Sequence, residues 1–129
     1  MSRTILAVDD SALMRQMVGA TLRAGGYEVI EAADGDEALE YARSHRVDLV
    51  LTDVHMPHMD GITLIAQLRM LPNYRLTPLL LLTTDSSPDM KLQGKQAGAT
   101  GWMVKPFNPE QLLATLGRVL GSQPALRVN

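Results

Sequence analysis

The 129-residue sequence contains no cysteine and few aromatic residues. Without cysteine, disulfide-stapled scaffolds, thiolate nucleophiles and cysteine-ligated metal sites are excluded. One Phe, one Trp and three Tyr leave the core to aliphatic residues and Met. No apolar run approaches the ~20 residues of a membrane-spanning helix, and the N-terminus has no apolar signal segment. We therefore expect a cytoplasmic protein with no membrane contact.

The chain also lacks a strong excess of one charge. Its net charge is -2 and its pI is about 5.8. Because no broad basic surface is available for a phosphate backbone, we expect no direct binding to nucleic acid. Hydrophobic content of 46% and charged content of 20% are typical of a globular protein. We assign residues 1–121 to one domain and residues 122–129 to a short C-terminal tail.

Short hydrophobic runs alternate with amphipathic patterns along the domain. The runs that predict strands are residues 4–9, 27–32, 49–51, 79–84 and 102–104. A stretch with helical spacing follows each run, and the first of these places Met14, Met17, Val18 and Leu22 on one face. Five strands alternating with five helices predict an α/β fold, a doubly wound parallel sheet with helices on both faces.

Chemically active side chains follow the predicted strands. Asp9 and Asp10 close the first run, Asp53 the third, Thr83 the fourth and Lys105 the fifth. The carboxyl ends of parallel strands meet at one edge of the sheet, where ligands of open α/β sheets bind. The sequence therefore predicts a site made of three acids, one hydroxyl and one lysine, with Asp53 as its nucleophile.

The three carboxylates imply a bound cation. Two carboxylates about 4 Å apart repel by roughly 4 kcal/mol at the effective dielectric of a protein surface. Oxygen ligands in a crevice open to solvent favour a hard ion, so Mg²⁺ is the first choice, with Mn²⁺ or Ca²⁺ able to substitute. Such an ion suits phosphoryl transfer, whose product here would be an acyl phosphate on Asp53.

These residues carry a resemblance to a known family. The Asp9-Asp10 pair, Asp53 followed by MP and DG, Thr83, and the KPF of residues 105–107 together resemble a response-regulator receiver domain. The resemblance covers essentially the whole chain. It implies a flavodoxin-like sheet with strand order 2-1-3-4-5, the order of flavodoxin and CheY. The stretch DDSALMRQMV, residues 9–18, resembles the single-domain chemotaxis members of the family in particular, and so does a sequence in which we recognise no output domain.

The resemblance implies a role for each site residue. Asp53 would accept a phosphoryl group from a phosphohistidine on a sensor histidine kinase. Asp10, Asp53 and the backbone carbonyl of His55 would ligate Mg²⁺ directly, and Asp9 would act mainly through water. Thr83 and Lys105 would contact the phosphoryl group.

The resemblance also implies an output. Trp102 stands at the position of a switch aromatic, which turns inward when Thr83 is drawn to the phosphoryl group. A downstream effector, with the flagellar motor switch as a candidate, would bind a monomer on the face made by the fourth helix, the fifth strand and the fifth helix. The protein would thus be a signalling switch that promotes its own phosphotransfer and dephosphorylation, and not an enzyme.

Four positions depart from the usual pattern of the family or vary within it. Thr84 is bulkier than the usual small residue, and His55 and Asp85 occupy positions implied to tune hydrolysis of the acyl phosphate. Trp102 is larger than the usual Tyr or Phe, so we expect its inward state to be harder to reach.

Each motif has a plainer interpretation when taken alone. Asp9-Asp10 is often a helix-capping pair, Lys105 a solvated lysine and Trp102 ordinary core packing. His55 and His58 suggest a transition-metal site, but a loop with two histidines is more often exposed.

Two further functions remain open from the sequence. One is a receiver belonging to a longer DNA-binding transcriptional regulator. The other is an aspartate-based hydrolase of a small phosphorylated substrate, although such enzymes usually place the second acid two residues after the nucleophile on the first strand.

Overall fold

A computed structural model describes residues 3–121 of the chain. Within this range the chain forms a five-stranded parallel sheet in the order β2-β1-β3-β4-β5, with five α-helices. The elements are β1 Thr4–Val8, α1 Ala12–Ala24, β2 Glu28–Ala32, α2 Gly35–Ser44, β3 Leu49–Thr52, α3 Gly61–Arg69, β4 Leu79–Thr83, α4 Pro88–Ala97, β5 Gly101–Val104 and α5 Pro109–Gly121. The predicted fold class and strand order are confirmed.

The sheet separates two apolar cores. Side chains alternate along a strand, so Leu6 and Val50 face one core while Ile5 and Leu49 face the other. The first core is covered mainly by α2 and α3 with partly buried residues of α4, and the second by α1 and α5. The central strands β1, β3 and β4 are buried on both faces, which explains their uninterrupted hydrophobic runs.

Side-chain caps begin helices α1 and α5. The Ser11 hydroxyl accepts the N–H of Met14 at 3.2 Å, and the Asn108 side chain accepts the N–H of Gln111 at 3.0 Å. Helix α4 ends at Gly98, whose φ of 110° is the left-handed conformation that glycine adopts without strain.

Two local expectations need correction. The runs predicted for β1 and β4 each extend one residue too far, because the strands end at Val8 and Thr83. Met17 does not pack inward and is 47% exposed. The buried stripe of α1 is narrow and centred on Val18 and Leu22, so Met17 lies outside it.

The predicted tail, residues 122–129, lies outside the described residues. Among residues 3–121, no helix has both the length and the apolar character needed to cross a membrane.

Candidate functional site

Three of the predicted site residues each lie one position beyond a strand. Asp9 follows β1, Asp53 follows β3 and Lys105 follows β5. Their backbone N–H groups continue the sheet, since Asp9 donates to Ala32 at 3.2 Å, Asp53 to Val8 at 2.9 Å and Lys105 to Thr83 at 2.9 Å. The sheet therefore fixes the backbone of each residue, and all three side chains leave from its carboxyl edge.

The predicted acids converge at this edge. Asp9, Asp10 and Asp53 each offer a carboxylate oxygen, and these oxygens lie within 4.8 Å of one another. Asp9 and Asp53 are buried, with 5% and 9% of their surface exposed, whereas Asp10 faces solvent. Oxygen donors alone, partly buried and open on one side, fit a hard divalent cation that keeps some of its water.

Lys105 joins two of these acids. Its ammonium lies 2.8 Å from Asp9 Oδ2 and 3.2 Å from Asp53 Oδ2. Burial alone would lower the pKa of Lys105, but its hydrogen bond to Asp9 and the charge of Asp53 outweigh that effect and raise it. Lys105 is therefore a fixed positive charge beside the candidate nucleophile.

The electrostatic environment of Asp53 opposes its ionisation. Burial raises the pKa of the Asp53 carboxyl and the charge of Asp9 raises it further, while Lys105 and the Val54 N–H act in the opposite direction. The net direction is upward. A divalent cation would reverse this balance, because it favours the ionised form of every carboxylate it contacts.

The turn after Asp53 is built around Gly61. The Gly61 N–H donates to the Val54 carbonyl at 2.7 Å, and a Cβ at position 61 would collide with the backbone carbonyl oxygen of Asp53. Only glycine permits this close approach. The DG of residues 60–61 was visible in the sequence as part of the family resemblance, but the contact of Gly61 with the nucleophile was not.

Thr83 lies at the end of β4, beside Lys105, and is fully buried. Its hydroxyl oxygen accepts the Asp85 N–H at 3.2 Å. Because a hydroxyl has one proton and two lone pairs, Thr83 can still donate while it accepts this bond.

His55 and Asp85 face each other across the mouth of the site. The two loops that follow β3 and β4 are joined by a contact of 3.3 Å between His55 Nε2 and Asp85 Oδ2. Hydrogen bonds from Ser87 lower the pKa of the Asp85 carboxyl, so this acid is ionised at neutral pH. Thr84 is exposed beside this pair.

Trp102 packs between the sheet and α4. It contacts the core made with α2 and α3, and its Nε1 is buried without a hydrogen-bond partner among the described residues. A Cβ at Gly94 would lie 3.0 Å from Trp102 Cζ3 and 2.9 Å from Leu81 Cδ1. The ring therefore occupies space that exists because position 94 has no side chain.

Sequence reasoning missed Arg15. Its Nη1 donates to the backbone carbonyl of Asp9 at 2.7 Å, so it contacts the backbone of a residue in the acidic cluster. A basic residue on the first turns of α1 was visible in the sequence, but its target was a backbone atom, which no sequence pattern reveals.

Comparison with known proteins gives the class. The family profile described as response regulator receiver domain matches residues 5–117. The chain belongs to this family, whose members act as signalling switches, interact with histidine kinases and downstream effectors, and hold Mg²⁺ at an acidic site.

The similar proteins include both a chemotaxis protein and a transcriptional regulatory protein. The structure is similar to the chemotaxis protein CheY4 of Vibrio cholerae, with 54% identity, a TM-score of 0.89, and coverage of 92% of this chain and 99% of that chain. The chain is also 38% identical over 115 residues to the transcriptional regulatory protein PdtaR of Mycobacterium tuberculosis, covering 88% of this chain and 55% of PdtaR. It spans about half the length of the first curated relatives it matches.

A third relative bears on the acidic cluster. The receiver domain of sensor histidine kinase PA1611 from Pseudomonas aeruginosa has a magnesium ion coordinated in its active site cleft. It shares 32% identity with this chain and has a TM-score of 0.88, with coverage of 95% of this chain and 100% of that one.

Proposed function

We propose that Asp53 accepts a phosphoryl group from a phosphohistidine on a sensor histidine kinase. One observation carries the proposal: the carboxylates of Asp9, Asp10 and Asp53 gather within 4.8 Å, and Lys105 contacts two of them. In the transfer, an Asp53 carboxylate oxygen forms a bond to phosphorus while the bond between phosphorus and the imidazole nitrogen breaks. The imidazole, which carries a proton on its other ring nitrogen, leaves with the electron pair of the broken bond and is restored as a neutral histidine.

Asp10, Asp53 and the backbone carbonyl of His55 would hold Mg²⁺, with Asp9 acting through water. The donor set supports this assignment, and so does the magnesium bound in the PA1611 receiver domain. When bound, the ion supplies positive charge that neutralises the carboxylates and the incoming phosphoryl oxygens.

The chain's own residues supply the remaining positioning. Lys105, already fixed between Asp9 and Asp53, would pair with one phosphoryl oxygen after transfer. Thr83 would donate its hydroxyl proton to a second oxygen. His55, Asp85 and Thr84 would set the lifetime of the acyl phosphate; His55 and Asp85 contact each other between the loops after β3 and β4, and Thr84 is exposed next to Asp85 in the chain.

The phosphorylated protein would act as a binding switch. Movement of Thr83 towards the phosphoryl group would be read by Trp102, which lies on the neighbouring strand against α4. A downstream effector would then bind a monomer on the face of α4, β5 and α5. We expect this exchange to occur in the cytoplasm.

Similarity to CheY4 supports a role in chemotaxis, with the flagellar motor switch as the candidate effector. Similarity to PdtaR supports a second candidate, in which residues 1–121 are the receiver of a longer transcriptional regulator. The length of the open reading frame separates these two outputs.

Beryllofluoride, which mimics the acyl phosphate, tests the switch directly. We expect it to change the fluorescence of Trp102, the single tryptophan, only when Mg²⁺ is present. The matched control is Asp53→Asn, which should not respond. An equal response from that variant, or none from the wild type, would contradict the proposal.

A further inference from the structure

Asp9 is held at every polar atom it possesses. Its N–H donates to Ala32, its Oδ1 accepts the Ser11 N–H at 2.9 Å and its Oδ2 accepts Lys105 at 2.8 Å. The remaining group, the backbone carbonyl, accepts Arg15 Nη1 at 2.7 Å. This last bond is short and charge-assisted, so it is stronger than a neutral hydrogen bond. Arg15 therefore supplies one of the four polar contacts that fix Asp9, the one made to the carbonyl that precedes Asp10.

The Arg15 side chain is also held by an ion pair with Glu31. Its Nε lies 3.4 Å from Glu31 Oε1 on β2, and only 19% of its side chain is exposed. Glu31 also pairs with Arg23 at 3.1 Å, one helical turn past Gly19. A Cβ at Gly19 would lie 3.0 Å from Glu31 Oε2, so the absent side chain leaves room for this bridge. Arg15 thus connects β2, α1 and the acidic turn after β1.

We infer that Arg15 is a positioning residue for the metal site, acting through the Asp9 carbonyl to hold the Asp9-Asp10 turn in the geometry that binds a divalent cation. The inference rests on the proposed function, since it concerns the same ion. Residues behind metal ligands commonly change affinity by about 10- to 100-fold when they are removed.

If Arg15 acted only through its charge, its removal would strengthen Mg²⁺ binding, whereas loss of a positioning residue would weaken it. Arg15, Asp9 and Asp53 line the same small cavity of about 10 Å³, and the Arg15 guanidinium contacts the backbone carbonyl of Asp9, a member of the acidic cluster. A nearby positive charge repels Mg²⁺, and its removal would tighten binding if charge alone mattered. The sign of the change in affinity therefore separates positioning from simple electrostatics.

The experiment measures the Mg²⁺ dissociation constant by isothermal titration calorimetry. We expect Arg15→Met to weaken Mg²⁺ binding about tenfold. Arg15→Lys keeps a donor but loses the bridge to Glu31, so its affinity for Mg²⁺ should lie between those of Arg15→Met and the wild type. Arg23→Met is the matched control: it removes one positive charge from the same helix and the same glutamate without contacting Asp9. We expect its affinity to stay within about twofold of wild type.

A second readout separates positioning from general damage. In labelling with acetyl phosphate, the Mg²⁺ concentration at half-maximal rate should rise about tenfold in Arg15→Met, while the rate at saturating Mg²⁺ stays near the wild-type value. Circular dichroism confirms that each variant is folded at the assay temperature. If Arg15→Met is not folded, the same measurements on Arg15→Lys test the inference.

The outcomes are distinct. Mg²⁺ binding by Arg15→Met that equals or exceeds that of Arg23→Met overturns the inference and leaves the proposed function intact. Absence of Mg²⁺ binding by the wild-type protein overturns both.

Discussion

The two ends of the sheet treat charge in opposite ways. At the amino end, Arg69 donates to the backbone carbonyls of Gly98 at 3.0 Å and of Tyr74 and Thr77 at 2.7 Å each. At the carboxyl end, three carboxylates converge around a single lysine. The amino end satisfies the Arg69 guanidinium with backbone carbonyls, while the carboxyl end gathers three carboxylates around one ammonium, an excess of negative charge that a bound cation would balance.

Other contacts at the amino end follow the same principle. The Tyr74 hydroxyl donates to the His45 carbonyl at 2.6 Å, and the Asp48 carboxylate accepts the Thr4 N–H at 2.7 Å. These bonds join the loops that precede β3 and β4 to the rest of the fold. The comparison teaches that stability is concentrated at one end and ligand chemistry at the other.

The largest effect is expected from Arg69→Met at the amino end. Loss of the guanidinium leaves several partly buried carbonyls without a donor, which should lower the free energy of unfolding by about 3 kcal/mol. Urea denaturation at neutral pH measures this change. The exposed side chain of Arg75 provides the control, and Arg75→Met should change stability little. Altered Mg²⁺ affinity in folded Arg69→Met protein would break the division between the two ends.

Asp53→Asn should change stability in the opposite direction. We expect it to raise the free energy of unfolding of the metal-free protein at neutral pH by about 1 kcal/mol. The pKa of Asp53 is raised above its ordinary 3.8, chiefly by burial, so the folded wild type binds this proton more tightly than the unfolded chain does. The wild type therefore loses stability as pH rises through the folded pKa. The advantage of the variant should be full above that pKa and vanish as pH falls towards the ordinary value.

Thermal unfolding across pH measures this advantage, with Glu40→Gln as a control that removes an exposed negative charge. Saturating Mg²⁺ should stabilise the wild type more than Asp53→Asn, because the ion binds only the folded site. A variant less stable than wild type without metal would show that the ionised Asp53 carboxylate does not destabilise the metal-free fold, contrary to the raised pKa.

Helix α4 runs between the two ends, and Gly94→Ala tests what its glycine does. Although alanine favours helix, the added Cβ would crowd Trp102 and Leu81, and we expect a net loss of about 1 kcal/mol in stability. Trp102→Phe in the same chain should recover part of it. Gly117 on α5 has open space around it, so Gly117→Ala should stabilise. Stabilisation by Gly94→Ala would exclude this crowding.

The smallest effect is expected at His58, in the loop after Asp53. His58 has a φ of 70°, a left-handed conformation that costs less for Asn than for most residues. His58→Asn should therefore stabilise the protein by about 0.5 kcal/mol, measured by the midpoint of urea unfolding. Destabilisation would indicate that the histidine ring makes a contact worth more than the backbone cost.

The sequence predicted the positions of Asp9, Asp53 and Lys105 because each follows a hydrophobic run, and a parallel sheet brings such positions together. It could not predict the support from Arg15 or the close approach of Gly61. Both depend on a backbone atom supplied by another part of the chain. Met17 was misplaced because helical spacing gives a face but not the width of the surface that covers it.

Labelling with acetyl phosphate, followed by mass spectrometry of the intact protein, tests the central claim most directly. The account predicts that the wild type gains one phosphoryl group in the presence of Mg²⁺ and none when the metal is chelated, and that Asp53→Asn gains none under either condition. Equal labelling of that variant, or labelling that persists without metal, would contradict it.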